Sequence, residues 1–168
     1  MRRASRGSSS GASSAEVRGA IVAAIVLLAG CAPASSPSTD PLAGLPRRTI
    51  TVDGAPLDVV VAVDRGRGLM GVDELGDVDG MLFDYSAEAL PSRSTFWMQG
   101  VRIPLDVAFF GQDRRLIAQL SMPLCPEAAQ ASRACPRYAS PAPFRWALET
   151  EAGAFEFADS AVIDPAAP

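Results

Sequence analysis

Hydrophobic and polar positions along this chain change period several times. Residues 20–29, AIVAAIVLLA, are uninterruptedly apolar. Residues 32–46, APASSPSTDPLAGLP, show no apolar period at all. Further on, Leu57, Val59, Val61 and Val63 alternate with Asp58, Val60 and Ala62. That is the two-residue period of a half-buried strand with a mostly apolar outer face. Residues 49–52 are β-branched, and Gly54-Ala55-Pro56 separates them from the alternating run, so a hairpin is expected. Segments 81–83, 95–98, 105–110, 116–120 and 144–149 read as further short strands. Gly111-Gln112-Asp113 reads as the turn between two of them. Asp64 is placed to cap a short helical turn through residues 65–70. Residues 71–80 are acidic and glycine-rich, hence a loop. The stretch 122–143 is dense in Pro and Ala and reads as an irregular excursion, and 158–168 as a ragged C-terminal tail. Several short strands with turn signals between them predict a mainly β domain, bordering on α+β. The expected form is a compact antiparallel sandwich or barrel with one or two short helical turns.

The apolar run at 20–29 belongs to an export signal. Arg2, Arg3, Arg6 and Arg18 precede it, opposed only by Glu16. It is too short to span ~30 Å of hydrocarbon as a stable helix. Leu28-Ala29-Gly30-Cys31 follows. Small residues suit a peptidase with a narrow cleavage site, and the Cys after them resembles the lipobox of bacterial lipoproteins, whose thiol is acylated. Four segments are therefore expected: a lipoprotein signal over 1–30, a lipid-anchored Pro/Ser/Ala-rich tether over 31–46, a globular β domain over 47–157 and a tail over 158–168. The expected location is the cell membrane, at its extracytoplasmic face, with palmitate or a similar acyl group on Cys31 as the anchor.

Composition narrows the chemistry. His, Lys and Asn are all absent. Without His there is no Ser-His-Asp or Cys-His catalysis and no imidazole metal site. Without Lys there is no Schiff base and no phosphate-loop lysine. The whole chain is −4, and its first 30 residues carry four Arg and one Glu, so the remainder is −7. This acidity argues against nucleic acid as a partner and against electrostatic adhesion to anionic lipid, so an acyl chain must supply the tether. No cofactor is implied.

Cys125 and Cys135 remain once Cys31 is assigned to lipid. Outside the cytoplasm two free thiols would be unusual, so a disulfide closing the Pro-rich excursion is expected. The CxxC spacing of redox work is missing.

Eight groups of residues in order then carry a resemblance. Arg65-Gly66-Arg67-Gly68-Leu69-Met70 is followed by Gly80-Met81-Leu82-Phe83, Phe96-Trp97-Met98 and Pro104-Leu105-Asp106. Cys125 and Cys135-Pro136-Arg137-Tyr138 come next, then Leu148-Glu149 and Gly153. This order and spacing, over residues 49–153, resembles the bacterial and archaeal family catalogued as domain of unknown function 192. Members often carry Asn-Thr where this chain has Gly100-Val101. They also often continue into one more strand, where this chain trails off. The resemblance implies a fold and no established activity.

The residues themselves supply the candidate site. Arg67 lies between two glycines, and its planar fork of donors suits a carboxylate. Asp106 opens an apolar strand, where an unpaired acid is costly. A pair between Arg65 or Arg67 and Asp106 would satisfy both, either as a structural salt bridge or as part of a ligand patch. Alternation along 96–98 sets Phe96 and Met98 against Trp97, which either packs inward or offers a flat outer surface. Asp106 and Glu149 are the candidates for paired-carboxylate hydrolysis. Met70, Met81, Met98 and Met122 suit core packing, with thioether binding of Cu(I) as the rival. Asp73, Glu74, Asp77 and Asp79 read as a solvated acidic loop. The leading expectation is a lipid-anchored binding or interaction module at the cell envelope, leaning away from catalysis, with an unknown envelope ligand or protein as partner. The alternatives are an envelope hydrolase using Asp106 and Glu149, and a Met-rich metal-binding protein.

Overall fold

The computed structural model describes residues 40–166. The expected signal, Cys31 and the first part of the tether lie outside the described residues. The strands are β1 (Arg47–Val52), β2 (Ala55–Val61), β3 (Gly80–Asp84), β4 (Thr95–Trp97), β5 (Leu105–Phe110) and β6 (Leu116–Met122). The helix α1 (Glu127–Ser132) follows, and then β7 (Arg137–Ala139), β8 (Trp146–Glu151) and β9 (Ile163–Asp164). Seven strands form one sheet in the order β6-β5-β8-β3-β2-β1-β9, and β4 pairs with β7 in a second, smaller sheet.

The mainly β class is the expected one, but the arrangement differs in two respects. The large sheet is mixed rather than purely antiparallel, because β2 and β3 run parallel, with Val59 opposite Gly80 and Val61 opposite Leu82. The sheet is also not closed into a barrel. Parallel neighbours require a crossing connection, and residues 62–79 provide it. That crossing lays Leu69, Val72, Leu75 and Val78 over one face of the sheet. The small β4–β7 sheet extends the same layer and contributes Phe96. A second cluster fills the opposite face, where Ile50, Val59, Leu82, Phe110 and Leu148 meet Ala161 and Ile163. With both faces covered, β5 is buried along its whole length, which is why LDVAFF is nearly continuously apolar.

Turn chemistry explains the hairpins. β1 and β2 are joined by Asp53 and Gly54, both at positive φ (52° and 80°), the mirror-image turn that matches strand twist. β5 and β6 are joined through the expected turn, closed by Gly111 N–H donating to the Arg115 carbonyl at 2.9 Å.

Three stretches are more ordered than the residue pattern predicts. Leu42, expected in the tether, is buried in the larger cluster, so the packed region begins before residue 47. The excursion 122–143 contains α1 and β7 and is closed by the expected Cys125–Cys135 disulfide. The expected tail is part of the fold. Ile163 lies opposite Val52 on β1, while Leu116 N–H donates to Ala161 O and Ile163 N–H to Arg114 O at the other edge. A short apolar pair such as Ala161 and Ile163 gives no period to read, yet each is fully buried.

Candidate functional site

A cavity of about 340 Å³ opens between the residue 65–69 turn, the small sheet and the sheet face beneath them. Asp64 builds the turn. Its Oδ1 accepts from the N–H groups of Gly66 and Arg67 at 3.0 and 3.2 Å, and its carbonyl accepts from the Gly68 N–H at 3.1 Å. Gly68 then takes φ +49°, and a Cβ there would stand 3.3 Å from the Phe83 ring and 3.8 Å from Glu149 Oε2. Glycine thus lets the backbone pass close above both side chains.

Glu149 is the unusual member of this cavity. Its neighbours across the sheet are Met81 on β3 and Val107 on β5, and Gly80 is also tight against it, since a Cβ on Gly80 would collide with the Glu149 carbonyl. The residue is only 4% exposed. Its carboxyl makes no hydrogen bond or ion pair among the described residues, whereas Trp146 Nε1 is the only fully enclosed side-chain polar atom left unpaired there. Glu149 is therefore held at the cavity floor rather than sealed into the core. Burial pushes its pKa up to about 8, because a low-dielectric setting without a donor or cation disfavours the charged form.

The rim is basic. Arg65 is already engaged: it pairs with Glu88 at 2.5 Å, donates to the Asp84 carbonyl at 2.6 Å, and lies 4.1 Å from the Tyr85 ring centroid. Arg67 is exposed and its guanidinium makes no contact with an acid among the described residues. Arg137, on β7, sits opposite Trp97 on β4, with its guanidinium carbon 4.4 Å from the indole centroid. It also has no acidic partner among the described residues. Trp97 is half-buried on the cavity side, while Phe96 and Met98 point into the core as alternation predicts.

The expected residues therefore separate. Arg65, Arg67 and Trp97 meet at the cavity, and Glu149 joins them. Asp106 does not, and neither expected arginine pairs with it. Its Oδ1 accepts from Ser121 Oγ at 2.6 Å and its Oδ2 from the Gly153 N–H at 2.8 Å, so it fastens the β5–β6 and β5–β8 edges. The paired-carboxylate arrangement fails for the same reason. Asp106 stands opposite Thr150 on β8, one position from Val107, which is opposite Glu149. Successive strand residues point to opposite faces, so the two carboxyl groups lie on opposite sides of the sheet.

Met81, Met98 and Met122 are buried in the larger cluster with Phe83, Phe96 and Phe109, and Met70 packs against its edge. Among the described residues no group of three His, Cys, Asp or Glu could hold a metal. Arg137 was missed as a site residue because its strand lies in the segment read as irregular. The signal was present: Arg137 two residues after a disulfide cysteine can face Trp97 only if that segment pairs with 95–97.

Fold and site together define an open mixed-sheet domain with an arginine-rimmed pocket over a buried acid. The chain belongs to the family of domain of unknown function 192, described as "Uncharacterized ACR", which matches residues 48–162. Two solved structures are similar. A protein of unknown function from Novosphingobium aromaticivorans DSM 12444 is 26% identical, with 78% of this chain and 94% of that chain covered and a TM-score of 0.58. A candidate transcription regulator from Sinorhizobium meliloti 1021 is 22% identical, with 71% and 94% covered and a TM-score of 0.59, a likeness of fold. Among curated proteins none matches this chain.

Proposed function

We propose that this protein is a binding module, lipid-anchored through Cys31 at the extracytoplasmic face of the cell membrane, that holds a small anionic ligand in the pocket between the residue 65–69 turn and the β4–β7 sheet. One observation carries the binding part: Arg67 and Arg137 reach this pocket without acidic partners among the described residues, in a chain whose net charge is −4. An acidic protein that leaves two guanidinium groups unpaired over one concavity concentrates anions there. The walls, Leu69, Phe83, Phe96 and Val101, add the apolar contact usual in ligand pockets. The anchor rests on the basic segment, the apolar run and Ala29-Gly30-Cys31.

Thermal unfolding in the presence of anionic, neutral and cationic small molecules tests the binding part, since a ligand of the native state raises its stability. Anions should raise the melting temperature, and Arg67→Ala should abolish the rise. A rise that survives Arg67→Ala together with Arg137→Ala would place binding elsewhere. Fractionation tests the anchor: Cys31→Ser should move the protein out of membranes.

The raised pKa of Glu149 favours a second reading, in which the pocket also protonates its ligand. Recovery of a bound molecule chemically unchanged after long incubation would decide against it.

A further inference from the structure

We infer that the pocket takes a small organic anion that also carries hydroxyl or ether oxygens, the chemistry of a sugar acid, sugar phosphate or hydroxy acid, with its anionic group at Arg67 and Arg137 and a neutral oxygen accepting a hydrogen bond from the Glu149 carboxyl. This rests on the binding reading above and names the ligand class for the same site.

Two ends of the cavity differ in character. The rim holds two guanidinium groups without an acidic partner among the described residues, Arg67 and Arg137, the latter donating to Thr95 Oγ1 at 3.4 Å, while the third, Arg65, is neutralised by Glu88. The floor holds a carboxyl that is 4% exposed and has no partner among the described residues. A buried carboxylate without a donor or cation is costly, so the group stays protonated at neutral pH, and its O–H then lacks an acceptor. A ligand that is anionic throughout would leave that donor unmet. A ligand with a cationic group would face the uncompensated arginines at the entrance. A molecule with an acid at one end and a neutral oxygen at the other satisfies both. Leu69, Phe96 and Trp97 line the cavity and give such a ring apolar contact. A cavity of about 340 Å³ has room for one monosaccharide-sized molecule.

The charged and titratable groups lining the cavity with Glu149 are Arg65 and Arg67 on the turn, Tyr85 after β3 and Arg137 on β7. The cross-strand neighbours Met81 and Val107 carry no charge. Glu149 is thus the group that titrates near pH 8 there. Its ionisation removes the donor and places a negative charge beside the ligand, so affinity falls as pH rises through that value.

Calorimetric titration of the purified protein with D-glucuronate, glucose 6-phosphate, acetate, inorganic phosphate, glucose and glucosamine tests this. One or both of the first two should bind at least tenfold tighter than acetate and phosphate, and which one does so separates carboxylate from phosphate as the anionic group. Affinity should fall at least tenfold from pH 6 to pH 9.5. Glu149→Gln, which keeps a neutral donor, should bind within about threefold of the unmodified protein and lose that pH dependence. Preferential binding of glucosamine, or loss of binding in a folded Glu149→Gln protein, would overturn the ligand class while leaving the binding module intact. If no probe of any charge binds, both fall. If acetate and phosphate bind as well as the sugar anions, the rim alone is the site and the role of Glu149 is refuted.

Discussion

Trp97 and Arg137 face each other across the β4–β7 ladder, with the guanidinium 4.4 Å from the indole centroid. The pair joins a strand that closes the core to a strand carried by the disulfide-bonded segment. Because the contact is near the surface, Arg137→Ala should cost at most about 1 kcal/mol of stability. The same change removes from the pocket one of the two cations without an acidic partner among the described residues, so affinity for an anion should drop about tenfold, roughly the worth of one charge-assisted hydrogen bond. Chemical denaturation and anion titration of the variant measure the two effects separately.

That ladder depends on packing supplied by the excursion. Gln130 on α1 accepts from Gly100 N–H at 2.9 Å and donates to Met98 O at 3.0 Å, and Cys125–Cys135 closes the loop around the helix. Replacing both cysteines by Ser should cost on the order of 3 kcal/mol, the usual scale for a loop of this kind. Reduced and oxidised protein compared by urea unfolding give the figure, and Trp97 fluorescence should respond, since β7 loses its staple.

Asp106 should matter for stability and not for binding. Asp106→Ala leaves the Gly153 N–H and Ser121 Oγ without their acceptor, and the expected loss is about 1–3 kcal/mol. Anion affinity at a temperature where the variant is folded should stay unchanged. A selective loss of affinity would return Asp106 to the site.

Glu149 makes stability depend on pH in a defined direction. Its pKa is raised from 4.5 to about 8 in the folded protein, so between these values the folded state binds more protons than the unfolded one. Stability from this group is full below pH 4.5 and is lost as pH rises through about 8. The span corresponds to roughly 5 kcal/mol at most. Glu149→Gln should remove this decline and be more stable than the unmodified protein above pH 8. Melting temperatures of both proteins from pH 5 to pH 9 check it.

Much of the sheet was legible in the residues because it follows local rules. Alternation at 57–63, β-branching at 49–52 and the turn at 111–113 all correspond to observed strands and hairpins. What escaped depends on long-range partners. The parallel β2–β3 pair rests on a crossing with no periodic signature, and β9 consists of two residues whose order comes from β1. In the site, Arg67 was legible as a donor fork in a glycine turn, whereas the direction of Trp97 was open in the sequence and is set by the pairing of β4 with β7. Glu149 was found for the wrong partnership. Asp106 and Glu149 look alike in sequence, and only the register, which sets them on opposite faces, separates a fastening acid from a pocket acid.

Nuclear magnetic resonance mapping of the protein with D-glucuronate reads the pocket most directly. Shifts should concentrate on the side chains of Arg67, Trp97, Arg137 and Glu149, and the Glu149 carboxyl carbon should titrate near pH 8 without ligand and higher with it. Shifts gathered instead around the acidic groove of Asp73, Asp77 and Arg102, together with a Glu149 midpoint near 4.5, would contradict the pocket as a site for anions over a neutral acid.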